Sequence, residues 1–598
     1  MSRGSRTSLA VALCLASIPY ADGAAQGARP ARSTASSDTA EARRVFEGNI
    51  DAIHKRDRER YLSYYLHTPE LARTGPGGLE LGYEGWSARR DSTWPDTLVA
   101  RDLRLVRLTP GVVYGTYHYR VTQNGVTSEG ISERVFLKTA AGWKIAVSTA
   151  FGLPSGTAPP PVAVVGGTLI NPGAAPIRDA AVVVRGGRIV CAGTRAECAT
   201  PPETEVIDAR GAYIAPGFID AHVHYSQTGW VDGRPDALDV RDEMPYDTVV
   251  ATLNRNPDRF DRAYLCSGVT AVFDVGGYPF THPMARAHEA SLTGPHMSAT
   301  GPLLSTIDHW VNLPAIRQFV HMRDDSVVRA GVRANASMGA SAIKVWYLQL
   351  ADSLQPRAKA LLDVAGAEAK RANVPLAVHA TQLPMAKDAL RAGAKILVHS
   401  VETADIDDEF VQLAKQNDAI VIPTLTVREG YADVFLGRSP AARYPLDCVD
   451  RMTRAKLERV LPEEKRARGL ERVRSGVWDT QRKTMERNLR KMREAGIAIA
   501  MGTDAGNPGT AHGPSIYREM EAMQAAGMPA AEVFVSATRI AARAMGRERD
   551  LGTLEAGKIA DLVVLDADPT TDIANARRVR LVMRGGATYG RAELLPRR

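Results

Sequence analysis

Apolar positions follow two different periods along this 598-residue chain, and the changes of period divide it. From Thr39 to about Tyr65, the residues Ala42, Val45, Phe46, Ile50, Ile53, Tyr61 and Tyr64 recur at steps of three and four, which predicts a helix. The period then drops to two. Residues 103–108, 112–121, 132–138 and 142–148 predict four strands with turn residues between them. Residues 153–161, Leu-Pro-Ser-Gly-Thr-Ala-Pro-Pro-Pro, carry no period and read as a linker. Short strands follow at 163–165, 181–184, 188–190 and 206–208, and similar ones close the chain at 557–566 and 581–586. Between these ends, apolar runs of strand length alternate with helical stretches. The runs are 214–225, 268–274, 297–301, 342–346, 376–379, 396–399, 419–424 and 497–504. Such an alternation is the pattern of a parallel α/β barrel. Two connections, 226–264 and 426–496, are long, and on a barrel insertions of that kind lie over the mouth. The charged helical stretch from Arg454 to Arg493 reads as a solvated face.

Charge and composition change this picture little. The net charge of +8 is spread over a long chain, and no basic run is interleaved with aromatics, so a nucleic-acid footprint is not indicated. The N-terminus does add something. Arg3 and Arg6 precede a short apolar run at 9–18, and the small residues Gly23, Ala24 and Ala25 follow, so 1–25 reads as a secretory signal peptide. Its apolar run is too short to span a bilayer, and Leu13 before Cys14 does not suit a lipid anchor. Residues 26–37 read as a disordered lead-in. The mature protein is therefore expected in the periplasm or outside the cell, with no membrane anchor. Cys191, Cys198, Cys266 and Cys448 remain; they are too few for a disulfide scaffold and match no zinc knuckle. Cys191 and Cys198 flank a short turn and can pair in an oxidising compartment.

The candidate chemistry sits at the ends of the predicted barrel strands. His222 and His224 are one residue apart on a strand and so share a face, where two imidazoles can chelate one ion. Lys344 lies in an apolar strand, where a buried charge is costly. His379 and His399 end the fifth and sixth strands, and Asp504 ends the eighth. The C-terminal strand ends are where barrel active sites are built.

Here a resemblance enters. Pro216-Gly-Phe-Ile-Asp-Ala-His-Val-His224, Val398-His-Ser-Val-Glu402, Gly502-Thr-Asp-Ala-Gly506 and the closing run 552–566 resemble the amidohydrolase superfamily, in its imidazolonepropionase-like and dipeptidase-like branch. The resemblance implies a (β/α)8 TIM-type barrel at 214–548 and a small composite β-sandwich made of 162–213 and 549–598. It also implies a binuclear metal site. In that arrangement His222, His224 and Asp504 hold one divalent ion, zinc by expectation, and His379 and His399 hold the second. Lys344, carboxylated by CO2, bridges the two. A hydroxide held between the ions attacks a C–N amide carbonyl of a small substrate, such as a dipeptide or N-acyl amino acid, and Asp504 shuttles the proton. Tyr225, Trp346, Tyr347, Arg428 and His512 are the candidate substrate contacts. Residues 38–152 are similar to the α+β cone of NTF2-like (SnoaL-like) domains, which suits a small ligand or a homo-oligomer contact. Three alternatives stay open. A mononuclear deaminase needs a carboxylate shortly after the fifth-strand histidine, where this chain has Ala380-Thr381-Gln382. A lactone or ester hydrolase can use the same site. A non-catalytic binding protein would not need the full ligand set.

Overall fold

The computed structural model describes residues 33–75, 78–88, 94–123, 126–152, 161–309 and 317–596. The predicted signal peptide, most of the lead-in and most of the linker lie outside these residues. The chain divides into two compact units, Met1–Gly156 and Thr157–Arg598.

In the first unit, the helix Ser33–His54 takes in the end of the expected lead-in. It stops near Arg56, whose φ of 53° leaves the helical region, and the short helix Arg58–Ser63 restarts behind the N-cap Asp57. The predicted single helix is thus two. Ala42, Phe46 and Ile50 pack one helix face onto a six-stranded sheet. Its four long strands, Thr97–Thr109, Val112–Gln123, Val126–Thr139 and Gly142–Gly152, form an antiparallel meander at the predicted places. A further hairpin, Ala72–Gly75 with Gly78–Leu81, joins the edge.

The second unit holds a TIM-barrel-type α/β fold. The apolar run 214–225 does not form one strand. Pro216 and Gly217 break it into Tyr213–Pro216, which joins a peripheral sheet, and Phe218–Val223, the first barrel strand. A side chain on Gly217 would meet Thr270 at 2.2 Å, so only glycine fits where the chain changes sheet. The barrel continues through Val269–Asp274, His296–Ala299, Ile343–Trp346, Leu376–His379, Ala394–Val398, Ile420–Ile422 and Ala498–Ile499, all parallel. The Ala221 amide donates to Met501 O and the His224 amide to Ala505 O, which closes the eighth strand onto the first. Two three-residue strands, Leu303–Ser305 and Phe319–His321, were not predicted; they extend the sheet beside Ile343–Trp346. Apolar side chains fill both the barrel lumen and the shell between strands and helices.

The peripheral sheet has eight strands taken from both ends of the second unit. Tyr213–Pro216 lies between Val162–Leu169 and the antiparallel Leu562–Leu565. The Cys191–Cys198 disulfide closes a turn of this sheet. A second disulfide, Cys266–Cys448, was not foreseen; it joins the helix before the second barrel strand to the long connection after the seventh. It closes a loop of 182 residues. In the chain-entropy model so long a loop stabilises by about 5 kcal/mol. The double variant Cys266→Ala/Cys448→Ala is accordingly expected to unfold several degrees lower in differential scanning calorimetry. An unchanged midpoint would show that this bridge contributes nothing.

Candidate metal centre

Backbone conformation turns three site residues inward. His399, Thr424 and Asp504 follow the sixth, seventh and eighth strands with φ of 73°, 45° and 62°. For a β-branched residue such as Thr424 this is a strained, left-handed conformation. Gly502 and Gly506 let the last strand close on the first. A side chain at Gly502 would meet His222 Cβ at 2.8 Å, and one at Gly506 would meet His224 O at 2.6 Å. Asp220 ties the same seam from below, accepting Thr503 Oγ1 at 2.6 Å and Thr503 N at 3.0 Å.

All six residues expected as ligands line one cavity of about 980 Å³ at this end of the barrel. The ring centroids of His222 and His224 are 5.1 Å apart, those of His222 and His399 5.0 Å, and those of His379 and His399 4.6 Å. Asp504 Oδ1 lies 3.0 Å from His224 Nε2 and 3.3 Å from His222 Nε2, with His399 Nε2 at 4.0 Å from Oδ2. Burial pushes His222 and His379 well below the ordinary imidazole range, and His399 down to about 3. These rings are neutral at physiological pH. Burial alone would raise Asp504, but the facing His222 and His224 outweigh it and hold the carboxylate ionised. Lys344 is 2% exposed and has no hydrogen bond or ion pair among the described residues. Burial, only partly offset by Asp504 and Asp274, brings its amine down to about 7.

One detail tests whether this set suits a cation. His224 Nδ1 donates to Gly276 O at 2.6 Å, so in the neutral ring Nε2 carries a lone pair. That lone pair faces Asp504 Oδ1 at 3.0 Å, and Oδ1 is buried with no hydrogen bond. His222 Nε2 is a further 3.3 Å away from each of these atoms. With His224 neutral and its Nδ1 donating to Gly276, at most one proton, on His222 Nε2, is available among these three atoms, so one contact between lone pairs is left that a cation would relieve. His222, His399 and Asp504 also place ligand atoms within 4.8 Å of one another. Imidazoles with an anchored Nδ1, beside a buried carboxylate, form a donor set for a divalent metal.

The other expected contacts divide. Trp346 lines the cavity, its ring 5.0 Å from Phe319 and 5.3 Å from His309. Arg428 lines it too, but its guanidinium fork already holds Glu402, with Nε at 3.1 Å from Oε2 and Nη2 at 2.5 Å from both oxygens. Tyr225, Tyr347 and His512 are not brought to the cavity. Tyr225 follows His224 and therefore points to the opposite face, where it donates to Asp261 at 3.2 Å and stacks on Tyr264. Tyr347 stands in the same relation to Trp346 and meets Gln355 and Asp388. His512 stacks on Phe260 at 3.8 Å and bonds Tyr264 and Gln227 O, inside the shell.

The structure adds residues the sequence reading passed over. Asp274 ends the second strand in the same position as the recognised ligands and accepts the Tyr225 and Gly276 amides. Its place at a strand end was a usable signal. Arg234 and Asp236 pair in the first long connection, at 2.9 and 2.8 Å, and Arg234 also donates to Asn507. Tyr431, from the second long connection, donates to the same Asn507 at 2.7 Å. Both connections thus line the cavity mouth.

Comparison with known proteins agrees with this geometry. The amidohydrolase family model matches residues 213–588. Imidazolonepropionase from Hyphomonas neptunium (strain ATCC 15444) is 40% identical over 103 residues, 17% of this chain and 25% of that protein. N-acyl-D-aspartate deacylase from Alcaligenes xylosoxydans xylosoxydans is 43% identical over 75 residues, 12% of this chain and 14% of that protein. The matched segments thus span a quarter or less of these curated relatives. The crystal structure of a Xaa-Pro dipeptidase with bound methionine superposes with a TM-score of 0.55 at 23% identity, covering 72% of this chain and 100% of that one. At this identity the likeness speaks to the fold.

Proposed function

Because the chain belongs to the amidohydrolase family, we propose that it is a metal-dependent hydrolase of a C–N bond in a small substrate, such as a dipeptide or N-acyl amino acid. The observation that carries this reading is the convergence of the buried His222, His224, His399 and Asp504 ligand atoms, with more lone pairs than protons among them. In it, His222, His224 and Asp504 would hold one divalent ion and His379 and His399 a second, with carboxylated Lys344 between them. Zinc is the expected metal. When bound, such ions polarise a carbonyl and make water a competent nucleophile near neutral pH. The residues of the chain do the rest. The Asp504 carboxylate accepts the proton of the attacking water and returns it to the leaving nitrogen. The Gly276 carbonyl and Thr424 hydroxyl fix the His224 and His399 rings by their Nδ1 atoms. Trp346 and Phe319 offer an apolar wall for a side chain or acyl group, and the two long connections exclude water from above.

The remaining parts of the reading are of the same standing. Export to the periplasm or medium is supported by two disulfides, which persist in oxidising compartments. The small composite domain and the NTF2-like assignment of 38–152 are proposed on the strand order described above. Among the described residues no helix is long and apolar enough to cross a membrane.

Two measurements test the proposal. Elemental analysis of zinc-loaded protein is expected to give two equivalents per chain; one or none at full occupancy would remove the binuclear site. The loaded enzyme is also to be screened against dipeptides, N-acyl amino acids and lactones. Amine release is the expected signal. Turnover of lactones alone would replace C–N with ester hydrolysis.

A further inference from the structure

Among the described residues of the first unit, one buried positive charge has no carboxylate beside it. Arg134 lies in the middle of the strand Val126–Thr139 and is 6% exposed. Its described bond is from Nη2 to the Tyr117 hydroxyl at 3.0 Å, and its Nε is buried without a partner. No carboxylate pairs with it among the described residues. A charged group taken out of water without a counter-ion is costly, so it calls for an explanation.

Its surroundings supply one. Strand register places Gly115, Arg134, Ser148 and Arg73 in one row across four neighbouring strands. Gly115 keeps the row low beside Arg134, where a side chain would meet Leu105 at 2.8 Å. Arg73, at the far end, stacks 3.9 Å over Trp86 and leaves its own Nε buried and unpartnered; its one carboxylate contact among the described residues, Glu80, is at 3.5 Å. Tyr61, Tyr65 and Tyr117 supply rings around the two guanidinium groups, with Phe46 packed edge-on to Tyr117 at 4.7 Å. One helical turn after Phe46, Asn49 is 1% exposed and both of its amide atoms lack partners. Leu98, Ala100, Leu103 and Leu105 lie on the same face, beside the helix Ser33–His54, and are half-buried.

We propose that this face is a binding site for a small aromatic carboxylate, whose anionic group is received by Arg134 and Arg73 and whose ring packs among Tyr61, Tyr65, Trp86 and Tyr117. The planar guanidinium matches a carboxylate in geometry, and the rings supply apolar contact beside it. Asn49 offers a donor and an acceptor for a further polar substituent. The site lies in the unit that does not contain the metal centre, and the proposal does not depend on the hydrolytic reading.

The test is calorimetric titration of the full-length protein with benzoate and phenylacetate, with neutral benzamide as the control. Because a carboxylate can also reach a metal, the same titrations are run on His379→Ala. Saturable binding that persists in His379→Ala, fails with benzamide, and weakens about 10- to 100-fold in Arg134→Met is expected. Without ligand, Arg134→Met is expected to melt no lower than wild type, since it removes an unpaired buried charge. If that variant does not fold, Arg73→Met, which alters a partly exposed side chain, is expected to weaken binding at least severalfold. Absence of saturable binding by both acids overturns the proposal. So does binding that is unchanged in both arginine variants, or binding that disappears in His379→Ala.

Discussion

Replacing Lys344 with alanine is expected to lower kcat/KM by about 10²-fold or more, and millimolar acetate or propionate is expected to restore part of the loss. The argument starts from burial. An ammonium at 2% exposure, with no hydrogen bond or ion pair among the described residues, is costly to keep, and it would repel any cation held by the four neighbouring imidazoles. Burial lowers the amine to about 7, so an appreciable neutral fraction is present in neutral solution. A neutral amine can attack CO2, forming the N–C bond and losing its proton. The product is an anion, which suits hard divalent metals. An alanine leaves room where a small carboxylic acid can take the place of that anion. Zinc content, measured with and without acetate, should follow activity. Near-normal rates in the variant would show that Lys344 is only a structural residue.

The second large effect is at Asp504. Asp504→Asn is expected to reduce kcat by 10²–10⁴-fold, with KM changed far less and at least one metal retained. The substitution is unusually clean here. Asp504 has a φ of 62°, and asparagine is among the non-glycine residues that best tolerate this conformation, so the backbone should not move. The Asp504 amide would keep its bond to His222 O at 2.7 Å. The amide oxygen can still meet His222 and His224 across the seam, but the group no longer accepts a proton. Turnover close to wild type would remove Asp504 as the proton shuttle while leaving the metal site itself in place.

Much of the site was legible because the barrel strands are short and end abruptly. An apolar run of four or five residues followed by His, Lys or Asp marks a strand end, and parallel closure brings those ends together. His222, His224, His379, His399 and Asp504 line the cavity for that reason, and Lys344, the second residue of the strand Ile343–Trp346, joins them from within the barrel. The same alternation argues against Tyr225 and Tyr347, which stand one residue out of phase with His224 and Trp346. The other differences had no local signal. Glu402 meets Arg428 only because the loop after the sixth strand faces the helix Val427–Leu436 after the seventh. His512 turns back into the shell because Phe260 and Tyr264, far away in sequence, form its pocket. Three-residue strands such as Phe319–His321 are too short to show a period, and Cys266 and Cys448 gain their proximity from the whole barrel. In the first unit, the meander was readable from its period, whereas the row shared by Arg73 and Arg134 depends on register between strands far apart in the chain.

The peripheral sheet sets an order of events during synthesis. Tyr213–Pro216 pairs on one side with Leu562–Leu565, which the ribosome makes only after the entire barrel. At roughly 5–20 residues per second, that partner arrives on the order of tens of seconds later. Until then the emerging chain carries an open strand edge and an uncovered apolar face at Ile214 and Val164, the kind of surface that captures other chains. Chains cut short before Leu562 are expected to collect in aggregates, even though every residue of the metal centre has already been made.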